Sequence, residues 1–95
     1  MIIVREIFVA KPGMASKLAR MFKEMEAVTG DKTRVFTDVT GNYNNVVMET
    51  QYENLAEFER RMKEYSEKTD KEMTELMKGY TDMYLVGRRE IFKEW

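Results

Sequence analysis

Two adjacent charged residues interrupt an otherwise apolar segment near the start of the chain. Arg5 and Glu6 lie within Ile2–Ala10, whose other residues are apolar and mostly β-branched or aromatic. A charge that is covered on both sides needs a partner, because burying an unpaired ion is costly. Two interpretations follow. The pair either forms cross-strand ion pairs with charges in segment 88–90 or anchors an anionic or phenolic ligand.

Asp38 and Glu49 are two further candidates, each in the middle of a predicted strand. Either carboxylate could act as a general base if burial raised its pKa. The alternative is that both face solvent on a hairpin. The sequence gives no feature that excludes either interpretation.

Phenol groups and methionines supply the remaining chemistry. Tyr52, Tyr65, Tyr80 and Tyr84 could each donate a hydrogen bond into a pocket, or could pack with the hydroxyl at the edge of the core. The nine methionines suit gap-filling core positions, and their soft side chains would also suit a flat apolar ligand.

These considerations define one candidate ligand-binding site without assigning a catalytic residue. The predicted pocket lies between the sheet and the apolar stripe of the first helix, which includes Leu18, Phe22 and Met25. Its candidate residues are Arg5, Glu6, Glu49, Tyr84 and Arg88.

Several kinds of site are excluded because the chain contains no histidine and no cysteine. A catalytic triad, a thiolate nucleophile, a structural zinc site and a histidine-ligated haem all need those residues. Oxygen ligands alone would favour hard metal ions, yet no carboxylate spacing resembles a calcium loop. No glycine-rich phosphate loop is present either. The sequence therefore predicts no metal and no cofactor.

Length and charge indicate one domain, residues 1–95. The net charge of −1, from 16 basic and 17 acidic residues, gives no electrostatic reason to expect nucleic acid or an anionic membrane as a partner. No apolar run is long enough to cross a bilayer, and no signal-peptide pattern begins the chain. We therefore expect a cytoplasmic location.

The first half of the chain predicts three strands and one helix. The strand Ile2–Ala10 has two largely apolar faces and stops at Pro12, which cannot donate to a ladder. An amphipathic helix follows over residues 14–28, with Gly30 as its C-terminal cap. Alternating patterns predict strands over residues 33–40 and 46–52, joined by a loop over 41–45.

The second half predicts helices and a final strand. Asn54 and Glu57 have the spacing of a capping box, which begins a second helix. Thr69 and Glu72 repeat that spacing and predict a break followed by a short helix. The last strand is predicted over residues 83–92, where Arg-Glu-Ile-Phe at 89–92 repeats the sequence of 5–8. The two strands carrying this repeat are predicted to be antiparallel neighbours.

The chain resembles the dimeric α/β-barrel superfamily in two features. One is the order of elements, β-α-β-β-α-β. The other is the opening strand that runs into Lys11-Pro12-Gly13 before a helix with Leu18 and Phe22 inward. The nearest resemblance is to small antibiotic-biosynthesis-monooxygenase-like and NIPSNAP-like domains. It implies an α+β, ferredoxin-like subunit with a four-stranded antiparallel sheet. It also implies that two sheets form a barrel in a homodimer, with a small apolar pocket in each subunit.

Two functions are compatible with this resemblance. Haem-degrading members of the superfamily hold iron with a histidine, which this chain lacks. Cofactor-independent monooxygenases act on aromatic or polyketide-like compounds that activate oxygen themselves, so they need no such residue. The alternative is a non-catalytic module that binds a small apolar or aromatic molecule or serves in assembly. Converging polar groups in an enclosed pocket would favour the enzyme.

Overall fold

The structure is a computed structural model that describes residues 1–67 and 71–95, apart from the side chain of Glu72. A short 3₁₀ turn, Tyr80–Asp82, precedes the last strand. The strands and helices are β1 (Ile2–Ala10), α1 (Ala15–Thr29), β2 (Thr33–Thr37), β3 (Asn45–Tyr52), α2 (Leu55–Glu67), α3 (Lys71–Leu76) and β4 (Tyr84–Lys93).

One antiparallel sheet organises the described chain, with strand order β2-β3-β1-β4. The predicted α+β, ferredoxin-like class is confirmed. The repeated Arg-Glu-Ile-Phe segments also pair as predicted: Arg5 lies opposite Glu90, and Glu6 lies opposite Arg89. The strand β1 is central because both of its edges are paired, to β3 and to β4.

Helix α1 covers one face of the sheet with the stripe that its periodicity predicted. Leu18 and Phe22 are fully buried and form the core with Ala10, Val46 and Met83. Gly30 ends the helix with φ of 75°, and its N–H donates to the carbonyl of Glu26 at 2.9 Å. A left-handed residue at this position favours glycine, as the cap prediction required.

The β2–β3 hairpin departs from its predicted boundary. The strand β2 ends at Thr37 rather than residue 40. Asp38 lies just past it and accepts a hydrogen bond from the N–H of Asn45 through Oδ1 at 3.2 Å, which closes the loop. The predicted loop is present, and its residues Tyr43 and Asn44 are left-handed, with φ of 50° and 62°. Asp38 is thus a loop residue, and the mid-strand position predicted for it was wrong.

The capping box that begins α2 is present with one altered bond. Asn54 Oδ1 accepts from the N–H of Glu57 at 2.9 Å, whereas Glu57 Oε2 accepts from the N–H of Glu53 at 2.8 Å instead of from Asn54. The second predicted capping box involves Thr69 and the side chain of Glu72, which lie outside the described part of the chain. Within residues 1–67 and 71–95, no helix is long and apolar enough to cross a membrane.

The two faces of the sheet have different neighbours. Val4, Glu6 and Phe8 lie on the same side as the helices; this is the cavity face. Arg5, Ile7 and their neighbours point the other way, because side chains alternate along a strand. No helix of the described chain lines that second side, which is called the open face here.

Candidate functional site

A cavity of about 420 Å³ lies between the cavity face of the sheet and the three helices. Its volume falls within the range of small-molecule pockets. Most of its wall is apolar, and polar side chains are concentrated in part of it. The lining residues are Val4, Glu6, Phe8, Phe22, Met25, Val28, Thr29, Asp31, Thr33, Met48, Thr50, Tyr52, Phe58, Arg61, Met62, Tyr65, Met73, Met77, Tyr80 and Arg89.

Strand register gives the cavity a polar end and an apolar end. Thr33 pairs with Thr50, and their hydroxyl oxygens lie 3.2 Å apart. Tyr52 lies two residues further along β3, opposite Ile2 at the start of β1. Val4 on β1 is the register partner of Thr50. Phe8 lies four residues further along β1 and marks the apolar end of the cavity. A ligand with one polar and one apolar end would match this division.

An ion pair between the α1–β2 loop and α2 closes the polar end. Arg61 donates from Nη2 to Asp31 Oδ1 at 2.5 Å, and Tyr65 donates its hydroxyl proton to Asp31 Oδ2. The guanidinium also lies 5.1 Å from the centre of the Tyr65 ring. Burial alone would lower the pKa of Arg61, but the carboxylates of Asp31 and Glu64 outweigh it and raise that pKa. Arg61 is therefore a fixed cation.

A second ion pair crosses from β1 to β4. Arg89 donates from Nε to Glu6 Oε1 at 2.5 Å, and its guanidinium lies 5.1 Å from the centre of the Phe58 ring. The cross-strand partner predicted for Glu6 in segment 88–90 is confirmed. Both side chains also line the cavity.

At the polar end of the cavity, the Tyr52 hydroxyl is the group without a hydrogen-bond partner among the described residues. Tyr52 is buried, and its ring lies 5.4 Å from that of Phe58 in an edge arrangement. Among residues 1–67 and 71–95, no hydrogen bond engages its hydroxyl. Burial raises the pKa of Tyr52 above its ordinary 10.0, and the Asp31 carboxylate raises it further. The hydroxyl is therefore protonated at neutral pH and can donate to a ligand.

Aromatic rings form the apolar end. The Phe8 ring centre lies 5.2 Å from that of Phe22 and 4.8 Å from that of Tyr84. Gly87 lies opposite Phe8 on β4, and a Cβ atom there would approach two ring carbons of Phe8 to 3.0 Å. The absence of a side chain at Gly87 thus lets the Phe8 ring approach β4 closely.

The open face carries a row of alternating charges across all four strands. Register places Arg34, Glu49, Arg5 and Glu90 side by side. Glu49 is only 6% exposed, so the solvent-facing alternative for it was wrong. Its Oε1 accepts from Arg5 Nε at 2.9 Å, and its Oε2 lies 3.6 Å from Arg34 Nη1. Pairing on both sides explains how this carboxylate is tolerated at low exposure.

The five candidate residues do not come together in one place. Glu6 lines the cavity, whereas Arg5, Glu49 and Arg88 lie on the open face; Arg88 is 3.5 Å from Glu90. Tyr84 packs beside Phe8 without lining the cavity.

Sequence reasoning missed Asp31, Arg61 and Arg89 as cavity residues. Tyr52, Tyr65 and Tyr80 belonged to the predicted set of phenol donors, and all three line the cavity. Asp31 and Arg61 are 30 residues apart and gave no local signal. Among the residues that the structure describes, no group of three or more acidic side chains is placed to hold a metal.

Comparison with known proteins shows the fold. No protein-family model matches the sequence, and no curated protein matches it significantly. A NIPSNAP domain protein from Burkholderia xenovorans has a TM-score of 0.82 at 10% identity, over 100% of this chain and 95% of its own. A NIPSNAP-like domain protein from that organism has a TM-score of 0.83 at 20% identity, over 99% and 84%.

A third structure, of an antibiotic biosynthesis monooxygenase, has a TM-score of 0.69 at 13% identity over 100% of this chain and 99% of its own. Identities this low show the fold and not the activity. The resemblance predicted from the sequence is confirmed at that level: the chain has a ferredoxin-like fold, which it shares with NIPSNAP-domain and antibiotic-biosynthesis-monooxygenase proteins.

Proposed function

We propose that this chain is a cytoplasmic protein that binds a small molecule. Its cavity would hold a flat, largely apolar ligand with one hydrogen-bonding end. The observation that carries this proposal is the partly polar cavity of about 420 Å³, with the unengaged Tyr52 hydroxyl on its wall. Pockets of this size, apolar except for a few placed polar groups, commonly bind small molecules.

Each end of the cavity has a distinct role in binding. The rings of Phe8 and Phe22 and the side chains of Met48 and Met77 would contact an aromatic ligand face or edge. The Tyr52 hydroxyl would donate to a carbonyl or phenol oxygen on the ligand. The lining methionines can adapt their rotamers to fused rings of different shape.

The reaction that this arrangement supports is cofactor-independent oxygenation of an electron-rich aromatic compound. A carboxylate in the cavity, such as Glu6, would remove a proton from an activated CH₂ group of the substrate. The resulting carbanion reduces O₂ and forms a C–O bond. Cleavage of the O–O bond then leaves one oxygen as a ketone, and the other departs with two hydrogens as water. Tyr52 would donate a hydrogen bond to the carbonyl oxygen of the substrate and hold the reacting carbon in place.

The alternative is a binding or assembly module that holds the same kind of ligand without turnover. The ion pair between Glu6 and Arg89 favours this alternative, because the Glu6 carboxylate would have to leave its guanidinium hydrogen bond before it could take a proton from a substrate. The two functions differ in oxygen consumption and not in binding.

Anthrone tests both functions. Binding is measured by calorimetry, and oxygen uptake is measured with an electrode beside absorbance of the ketone product. We expect Tyr52→Phe to weaken binding about tenfold, a loss of about 1.4 kcal/mol, and Tyr43→Phe to have no effect because Tyr43 is 80% exposed in the hairpin loop. Glu6→Gln should abolish uptake with binding retained.

The outcomes separate the alternatives. Binding without oxygen uptake above the uncatalysed rate would support the module and reject the enzyme. If anthrone and 2-naphthol both fail to bind at millimolar concentration, the proposed function is overturned altogether.

We also propose that two copies of the chain form a homodimer through their open faces. Phe36, Val86 and Phe92 are exposed there, beside the row of alternating charges. A second copy turned by half a rotation about an axis parallel to the strands presents this row in reverse order. Each arginine then faces a glutamate, so the row is complementary to itself. Packed sheets about 10 Å apart would cover the apolar residues.

A further inference from the structure

We infer that the cavity selects neutral aromatic ligands, such as phenols, ketones and quinones, over carboxylates or sulfonates of the same shape. This inference rests on the proposed ligand-binding function and specifies its substrate class. It arises from the charge inventory of the cavity wall. Among the described lining residues, the charged side chains are Glu6, Asp31, Arg61 and Arg89, two of each sign.

Neither arginine is free to bind an anion. Arg61 donates to Asp31 Oδ1 at 2.5 Å and to Glu64 Oε2 at 2.9 Å, so two carboxylates already share its charge. Arg89 donates to Glu6 Oε1 at 2.5 Å and lies over the Phe58 ring. An anionic ligand would have to displace one of these carboxylates or share a cation whose charge is already balanced.

A displaced carboxylate would itself be left in an unfavourable position. Asp31 also accepts the Tyr65 hydroxyl, so losing Arg61 would leave an acidic group in a largely apolar wall. An anion that entered without displacing a carboxylate would lie beside Asp31 and Glu6 with no unpaired counter-charge. Both routes cost free energy that a neutral ligand avoids.

The pKa of the Tyr52 phenol is also consistent with a cavity that disfavours negative charge. Burial raises the pKa of Tyr52, and the Asp31 carboxylate raises it further, so negative charge on the phenol oxygen itself is disfavoured. A neutral ligand can instead use the hydroxyl as a donor. The paired hydroxyls of Thr33 and Thr50, on the wall nearby, can donate to or accept from a phenol or a carbonyl.

The test compares 2-naphthol with 2-naphthoate by calorimetry at neutral pH, where the first is neutral and the second is an anion. We expect the wild-type protein to bind the neutral compound at least about tenfold more tightly, which corresponds to about 1.4 kcal/mol. Equal or tighter binding of naphthoate would overturn the inference and leave the proposed binding function standing. If neither compound binds, both fail.

A charge variant adds a gain-of-function test. Asp31→Asn removes the one of the two carboxylate partners of Arg61 that lines the cavity, so this variant should bind naphthoate about tenfold better than the wild type does, with little change for naphthol. Glu26→Gln is the matched control, because Glu26 is paired with Lys23 at 3.0 Å on α1 and does not line the cavity. An equal effect in both variants would show that general charge, and not Arg61, controls selectivity, and would overturn this assignment.

Discussion

Arg5 Nε lies 2.9 Å from Glu49 Oε1 across the two central strands, on the face of the sheet that the described helices do not cover. Glu49 is almost fully buried even though its side chain belongs to the open face. The long side chains of Arg5 and Arg34 cover it from either side. This arrangement connects strands β2, β3 and β1 through one carboxylate.

We expect Glu49→Gln to destabilise the fold by about 1 kcal/mol. The substitution keeps the shape but removes the charge that both arginines use. Within a single chain the cost is modest, because Arg5 and Arg34 are 44% and 72% exposed there and can return to water. Urea denaturation gives the value. Glu59→Gln, at an exposed position of α2, is the control, and equal stability of the two variants would contradict the role given to Glu49.

The proposed homodimer predicts a native mass of about twice the 11.3 kDa chain and a melting temperature that rises with protein concentration. Val86→Glu should weaken association by at least about tenfold, because it places an unpaired charge between the packed sheets. Sedimentation velocity over a concentration series measures this directly.

Leu55→Glu is a closely matched control for that experiment. Val86 is 57% exposed on the open face, and Leu55 is 58% exposed at the start of α2. The two changes are therefore equally tolerable in a single subunit. A monomer mass at micromolar protein, together with a concentration-independent melt, would reject the dimer.

Stability should fall more steeply with alkaline pH when Tyr52 is present. The folded-state pKa of Tyr52 is raised above 10.0, chiefly by burial and then by Asp31, whereas the unfolded chain has the ordinary value. Above that value the unfolded state loses the proton first, so the free energy of unfolding decreases as pH rises from about 10 through the raised folded-state pKa.

Tyr52→Phe removes this contribution and should flatten the profile, whereas Tyr43→Phe, at an exposed loop position, should leave it unchanged. Denaturant unfolding one pH unit on either side of 10.0 measures the difference. If the wild type and Tyr52→Phe lose stability equally as pH rises, folding does not raise the pKa of Tyr52 and this prediction is wrong.

Gly87→Ala should destabilise the protein by about 1–2 kcal/mol. The added methyl group would meet the Phe8 ring at 3.0 Å, and that ring is packed between Phe22 and Tyr84, which limits its retreat. A double-mutant cycle with Phe8→Leu checks the cause. The alanine should cost less when the smaller leucine is present, and strict additivity of the two changes would contradict a direct clash.

Local patterns in the sequence predicted the elements of this fold because their causes are local. The stripe containing Leu18 and Phe22 sets the helix face, and Gly30 supplies the left-handed cap. The repeat that begins at Arg5 and Arg89 predicted two paired strands. The strand β2 ended early for a reason that the alternation could not show: the Asp38 side chain closes the hairpin by binding Asn45.

Only the tertiary structure decided where the functional side chains lie. Both faces of β1 are largely apolar, so its sequence does not say which one the helices cover. Arg5 and Glu6 are adjacent, yet alternation sends one to the open face and the other to the cavity. Asp31 and Arg61 form their ion pair because chain folding brings α2 beside the α1–β2 loop, a contact that separation along the sequence cannot predict. Residue types thus determined which chemistries were excluded, and packing determined which groups meet.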